Sequence, residues 1–324
     1  MSTEATSRPE VDLTFVVPIH NEESNLPLLH EEIGRAVAAM GRTAEIVYVD
    51  DGSTDSSYAR LREIRAADPR VRVVKLRANF GQTPALAAGF EASRGRTVVT
   101  LDADLQNDPA DVPRLLEELD RGYDVVSGWR LHRREPFLSR RLPSKIANRI
   151  IAMLTGIPIH DSGCTLKVYR ASVVKNLPLY AEAHRFLPAI ASIRGARVSE
   201  VVVADRPRRF GRSKYGIGRT IRVLFDLLKV RVLVRFSSRP LHWFGLGSLP
   251  AFALGTFFLL ANALSTRHGA DTRDVIIVYA TNALLFFSLG LHFLLMGLLG
   301  ELSVKASRGR RAAVLDSILA EVHE

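Results

Sequence analysis

The sequence predicts an α/β protein with a mainly parallel sheet, followed by an amphipathic helix lying in a membrane interface and two helices that cross the membrane. Three observations predict it. Short apolar runs alternate with amphipathic segments through the first two hundred residues, the pattern of strands joined by crossover helices. Polar clusters at residues 18–22, 50–51, 102–106 and 127–130 all fall at the carboxyl ends of those runs, where parallel α/β sheets bind ligands. Residues 241–264 and 275–299 carry no formally charged side chain, and each exceeds the roughly 20 residues needed to span a bilayer.

The elements follow in order. Residues 13–20, LTFVVPIH, form a first strand. Asn21 or Ser24 is placed to cap the next helix, whose apolar face is Leu26, Leu29, Ile33 and Val37. Residues 44–51, AEIVYVDD, form a second strand, and Gly52 allows the tight bend that starts a second helix. A third strand, 71–77, precedes a small-residue helix within 79–93. Residues 97–101 form a buried strand, 109–121 a helix, and DVVSGWR a further strand. Asp161 sits in a turn before another strand, and residues 197–208 supply the last strand of this region.

Thr97–Asp108, TVVTLDADLQND, is the stretch around which the chemistry gathers. Alternate residues of a strand share a face, so Asp102 and Asp104 are expected to point the same way. Two carboxylates at the end of an apolar strand are costly unless a cation lies between them. Hard oxygen ligands suit Mg²⁺ or Mn²⁺ with a diphosphate on the far side. The plainer alternative is a strand-end turn in which Asp102 caps the next helix. No Gly-x-Gly-x-x-Gly follows the first strand and no Gly-Lys-Ser/Thr loop is present, which argues against hydride transfer and ATP hydrolysis.

The net charge of +10 points to phosphorylated ligands, anionic lipid or nucleic acid. The cations cluster near the apolar C-terminal runs, which disfavours nucleic acid. The single cysteine, Cys164, forms no intramolecular disulfide and fits a reducing compartment, and the polar N-terminus predicts no cleaved signal peptide. Residues 131–155 are basic and then amphipathic, with Arg140 and Ser144 one helical turn apart; they form either a phosphate pair or a solvated basic face. RRFGRSKYG, residues 208–216, is either a lid over phosphates or a basic linker. Residues 217–236 read as the interfacial helix. Arg and Lys flank the outer ends of the two apolar runs, so both termini are expected in the cytoplasm. Residues 312–324 are expected to form a short helix.

VVPIHNEESNL, VDDGSTDSS, NFGQTPALAAGF, LDADLQNDP, SGWR, DSGCTLKVYR and RRFGRSKYG occur in that order, and together they resemble the motifs of family 2 glycosyltransferases of the GT-A fold. The chain is most similar to those acting on polyprenyl phosphates, such as dolichol-phosphate mannose synthase and the bacterial undecaprenyl-phosphate enzymes. The Gln-x-x-Arg-Trp motif of processive synthases is missing, which points to a single sugar transfer. The resemblance implies a GT-A domain over 1–215, the interfacial helix over 216–239, a two-helix membrane region over 240–300 and a cytoplasmic tail over 301–324. It implies that Pro18, His20, Glu22 and Asp50 or Asp51 line the nucleotide, that Asp102 meets the sugar or ribose, and that Asp104 and Gln106 hold the metal. His20 stands where some relatives carry an aromatic residue. Arg130, Arg140 and Ser144 would receive the lipid phosphate, while Arg208 and Lys214 would close on the diphosphate. Asp161 is the residue available as a general base, or it orients neighbouring cations.

The implied reaction is an inverting transfer from a nucleotide-sugar, UDP-linked by resemblance to the bacterial members, to polyprenyl phosphate at the cytoplasmic membrane face. It would serve cell-envelope glycan modification, and related enzymes assemble as homo-oligomers. Two alternatives are a membrane-anchored scaffold without chemistry and a glycosyltransferase with a non-lipid acceptor.

Overall fold

The structure is a computed structural model describing residues 11–131, 159–175, 177, 183–207, 240–267 and 273–323. The chain divides into two compact units, Met1–Leu228 with Val314–Glu324, and Lys229–Ala313.

The first unit begins β1 (Leu13–Ile19), α1 (Leu26–Met40), β2 (Ala44–Asp50), α2 (Ser57–Ala67), β3 (Val71–Leu76), α3 (Gln82–Ala92) and β4 (Thr97–Thr100). It continues through α4 (Val112–Asp120), β5 (Val125–Trp129), β6 (Lys167–Arg170), α5 (Ala171–Val174), α6 (Leu187–Ile193) and β7 (Val198–Val202), and it closes with β8 (Leu319–His323). The strands form one sheet in the order β7-β5-β6-β4-β1-β2-β3-β8. β1 pairs in parallel with β2 and β4, β2 with β3, and β5 with β7. β6 runs antiparallel between β4 and β5. The carboxyl ends of β1, β2, β3, β4, β5 and β7 therefore share one edge, and the first residue of β6, Lys167, starts from that same edge.

Both faces of the sheet are covered, so β1 and β2 are apolar along almost their whole length. On one face α1 buries Leu26, Leu29, Ile33 and Val37, and α4 buries Val112, Leu115, Leu116 and Leu119. Each such side chain stabilises the fold by about 1.5–3 kcal/mol. On the other face, α3 packs so closely that a Cβ on Gly89 would lie 2.3 Å from Val16 Cγ1. That contact explains the small-residue composition of the helix.

Two details differ from the expectations. Asn21 takes a left-handed conformation (φ 58°) instead of capping α1, whose N-cap position is Asn25. The tail is not a separate short helix. The second long apolar helix runs unbroken to Ile318, and Leu319–His323 then pairs antiparallel with β3. The otherwise open edge of β3 carries backbone donors and acceptors that this strand satisfies.

The second unit contains α7 (Pro240–Arg267) and most of α8 (Arg273–Ile318). Both contain stretches long and apolar enough to cross a bilayer, Pro240–Arg267 and Val275–Ser303. They pack antiparallel through glycines that seat aromatic rings. A Cβ on Gly255 would lie 3.2 Å from the Phe287 ring, and one on Gly290 would lie 3.0 Å from that of Phe252. Their outward faces are apolar, with Leu246, Phe257 and Leu284 exposed. Residues 217–236, the expected interfacial helix, lie outside the described residues.

Candidate active site

The loops after β1 and β2 are laced together. Asn21 Oδ1 accepts from Thr54 N (2.8 Å), and the Asn21 and Glu22 amides donate to Ser53 Oγ (3.1 Å) and Ser57 Oγ (2.8 Å). The Glu22 carboxylate accepts from Asn25 Nδ2 (2.5 Å). Gly52 (φ 62°) makes a close approach, since a Cβ there would lie 2.4 Å from Ala78 C. This contact brings the loop after β3 against the same edge. His20 joins the three loops. Its Nδ1 lies 2.9 Å from Asp51 O and its Nε2 lies 2.8 Å from Asn79 Nδ2, both within hydrogen-bond distance.

The two neighbouring aspartates have different surroundings. Asp51 accepts from Phe80 N (2.8 Å) and Gly81 N (2.9 Å), so it holds the start of α3. Burial raises its pKa while these two amides lower it, and the net displacement is upward. Asp50 is fully buried; its Oδ1 accepts from Ser53 N (3.2 Å), whereas its Oδ2 has no hydrogen-bond partner among the described residues. Of the pair, Asp50 is the one whose carboxylate has an unpaired, buried oxygen among the described residues. Pro18 lines a small cavity beside Gln82, Asp102, Lys167, Tyr169 and His184.

Asp102 and Asp104 do not share a face by strand alternation, because β4 ends at Thr100 and a turn follows. Leu105 in that turn has φ 60°, a left-handed conformation that costs a non-glycine residue roughly 1–2 kcal/mol. The strain is held from both sides. Gln106 N donates to Asp104 Oδ1 (3.1 Å), and Gln106 O accepts from Arg206 N (3.0 Å). Asp102 Oδ1 accepts from Gln82 Nε2 (2.6 Å). Burial pushes the Asp102 carboxyl up to about 6, and the Asp104 charge adds to this.

Arg130 at the end of β5 is anchored by Asp161, with Nε to Oδ2 at 2.9 Å and Nη2 to Oδ1 at 3.3 Å. Asp205 lies 4.0 Å from Nη1. These carboxylates raise the already high Arg130 pKa further, so the guanidinium stays charged. Lys167 is buried, donates to Cys164 O and Ser162 O, and has its pKa lowered by that burial. The Cys164 thiol is pushed up to about 11 by burial, which makes it a packed neutral group instead of a nucleophile.

Among the described residues, four acidic side chains, Asp102, Asp104, Asp161 and Asp205, gather here with two basic ones, Arg130 and Lys167. Among the described residues no three His, Cys, Asp or Glu side chains converge into a metal cage. Paired carboxyl groups instead fit a divalent ion that keeps water and substrate phosphate as its remaining ligands.

Pro18, His20, Glu22, Asp50, Asp51, Asp102, Asp104, Gln106, Arg130 and Asp161 thus all lie on the carboxyl edge of the sheet or on loops leaving it. Arg140, Ser144, Arg208 and Lys214 fall outside the described residues. Sequence reasoning did not single out Lys167, Glu200, Asp205 or Arg206. Asp205 carried the signal that found Asp50, a carboxylate just past an apolar strand. Lys167 had a subtler one, a lysine opening the apolar run KVY.

A Rossmann-like, mainly parallel sheet with carboxylates rather than a glycine-rich loop at its carboxyl edge suits the GT-A class of glycosyltransferase domain, and the family match places the chain there. Residues 14–178 match the family described as Glycosyl transferase family 2, and the chain belongs to that family. It is 42% identical over 270 residues to dodecaprenyl-phosphate galacturonate synthase from Rhizobium johnstonii, covering 79% of this chain and 80% of that protein. It is 39% identical over 293 residues to undecaprenyl-phosphate 4-deoxy-4-formamido-L-arabinose transferase from Pseudomonas paraeruginosa, covering 90% of this chain and 85% of that protein. Among solved structures, glucosyl-3-phosphoglycerate synthase from Mycobacterium tuberculosis in complex with Mn²⁺, UDP and glucosyl-3-phosphoglycerate shares the fold. Its TM-score is 0.54 at 21% identity, over 68% of this chain and 80% of that one.

Proposed function

We propose that the chain transfers one sugar, with inversion, from a nucleotide-sugar to a polyprenyl phosphate at the cytoplasmic face of a membrane. One observation carries the acceptor assignment. The likeness to the undecaprenyl-phosphate transferase extends over 90% of this chain, and so beyond the glycosyltransferase domain into the apolar helices. Two membrane-crossing helices suit an acceptor whose phosphate lies at the bilayer surface.

The residues divide the work as follows. Asp50, with Pro18, His20 and Glu22, faces the base and ribose. Asp51 acts one step back, by holding the start of α3. Asp102 meets the sugar or ribose, and Asp104 with Gln106 would hold Mg²⁺ or Mn²⁺. Bound there, the ion would offset the charge that builds on the leaving diphosphate. Arg208 and Lys214, in the basic segment, neutralise the same group. Arg130, Arg140 and Ser144 receive the acceptor phosphate. That phosphate, with a second pKa of about 6 by analogy with phosphoserine, is already mostly ionised near neutral pH, so its oxygen attacks the anomeric carbon without a strong base. Asp161, bound through both oxygens to Arg130, then serves as the residue that orients Arg130.

The test is transfer from a panel of nucleotide-sugars, UDP-linked ones first, to undecaprenyl phosphate in detergent, with and without EDTA, read by mass spectrometry of the lipid. A lipid-phosphate-linked sugar formed only when divalent ions are free supports the proposal and names the donor. Donor turnover onto water or a glycan with undecaprenyl phosphate untouched would refute the acceptor, and loss of all turnover with intact donor binding would favour a scaffold.

A further inference from the structure

We propose that Glu200 is a positioning residue for the acceptor phosphate, acting through Asp161 on Arg130. The proposal rests on the reading above in which Arg130 receives that phosphate.

Glu200 lies on β7, opposite Ser127 of β5 in the parallel register, and its side chain is 10% exposed. Its carboxylate gathers three donors from two consecutive residues. The His160 amide donates to Oε2 (2.9 Å) and Oε1 (3.1 Å), the Asp161 amide donates to Oε1 (3.2 Å), and His160 Nδ1–H donates to Oε2 (2.8 Å). Hydrogen bonds to a carboxylate are the stronger kind, and three of them fix the peptide between residues 160 and 161 in place and in angle.

Two successive contacts then transmit that placement to the end of β5. The His160 ring stacks on Trp129, with centroids 4.4 Å apart and planes 18° apart. Asp161 takes both the side chain and the backbone amide of Arg130. Residues 129 and 130 are thereby matched one-for-one with 160 and 161, and Glu200 holds the second pair from the neighbouring strand β7. The guanidinium has a second carboxylate neighbour in Asp205, but at 4.0 Å rather than 2.9 Å. Without Glu200 the peptide carrying Asp161 loses these hydrogen bonds, and Arg130 can shift toward Asp205. The charge would remain in the site while its direction changed, so Glu200 governs acceptor binding and leaves the nucleotide loops after β1, β2 and β3 untouched.

The test uses the full chain in detergent with Glu200→Ala, Glu200→Gln and Arg130→Lys, singly and combined. Undecaprenyl phosphate binding is read by native mass spectrometry, and kinetics are measured with whichever donor proves active. Glu200→Ala is expected to weaken undecaprenyl phosphate binding and raise its KM by about tenfold, the loss of one good hydrogen bond, with donor KM changed less than about twofold. Glu200→Gln keeps one acceptor oxygen and should restore most of the loss. In an Arg130→Lys background Glu200→Ala should add little, because the two act on one contact. Unchanged undecaprenyl phosphate binding in folded Glu200→Ala, equal losses for donor and acceptor, or fully multiplicative effects with Arg130→Lys would each overturn the proposal. Wild-type protein that binds no undecaprenyl phosphate would overturn the functional reading and this proposal together.

Discussion

Replacing Asp161 with Asn separates the two roles open to this carboxylate. The side chain is 3% exposed and binds an Arg130 that is itself 16% exposed, so the pair is largely out of water. Removing one partner of a buried ion pair costs about 3–5 kcal/mol, because the remaining charge is left uncompensated. Asp205 at 4.0 Å still offsets part of the Arg130 charge, and the Asn oxygen can still accept from Nε, so about 3 kcal/mol is the reasoned loss. For a unit of this size, each kcal/mol moves the midpoint by about 2–4 °C, which gives a fall of about 6–12 °C. The assay pairs a thermal melt in detergent with steady-state kinetics for donor and acceptor. An orienting role predicts the melting shift together with a raised acceptor KM, and a pH–rate profile that keeps its shape. A general base predicts a large fall in kcat with acceptor KM unchanged and the loss of the acidic limb of the profile. Asp161→Asn that melts normally and keeps its acceptor KM would refute the reasoning, because the ion pair would then carry neither stability nor position.

Three other perturbations test separate parts of the structure. Gly52→Ala should destabilise by about 2–4 kcal/mol and raise donor KM, since its Cβ would meet Ala78 C at 2.4 Å with the residue at φ 62°; melting and donor kinetics check it. Arg206→Ala removes the guanidinium that bridges Glu32 (2.9 Å) and Asp108 beside the strained Leu105 turn. About 1–2 kcal/mol of stability should go, allowing for its partial exposure, and the divalent-ion activation curve should move to higher concentration. His30 is held between Tyr48 OH (3.2 Å) and Asp68 (3.4 Å), and burial lowers its pKa below the ordinary 6.5. The unfolded chain therefore takes up this proton first, and stability present above pH 6.5 is lost as the pH falls from there. His30→Gln should flatten that limb of a stability–pH curve measured in parallel with the wild type.

Most of the sheet was legible because burial on both faces writes β1 and β2 as continuous apolar runs, and helices with one buried stripe separate them. The carboxyl-edge site was legible for the same reason: a charged residue just past an apolar run has only the strand end to occupy. What was hidden is pairing. Nothing local distinguishes Asp50, with one buried oxygen unpaired among the described residues, from Asp51, whose two oxygens are taken by amides about thirty residues further on. Asp102 and Asp104 read as strand neighbours because Leu101 is apolar, yet the strand stops at Thr100 and Leu105 is forced into a left-handed turn by contacts with Gln106 and Arg206. Glu200 carries no local signal, and its role comes with the two amides it holds across about forty residues of sequence. The same holds for β8, five residues with no signal of their own, which become a strand because β3 presents an edge to pair with. Local chemistry thus fixed which groups reach the site. Long-range backbone contacts decide which of them point into it and which hold the others still, and substitutions at Asp51, Glu200 and Arg206 are accordingly the ones where activity should fall without the loss of any group that touches substrate.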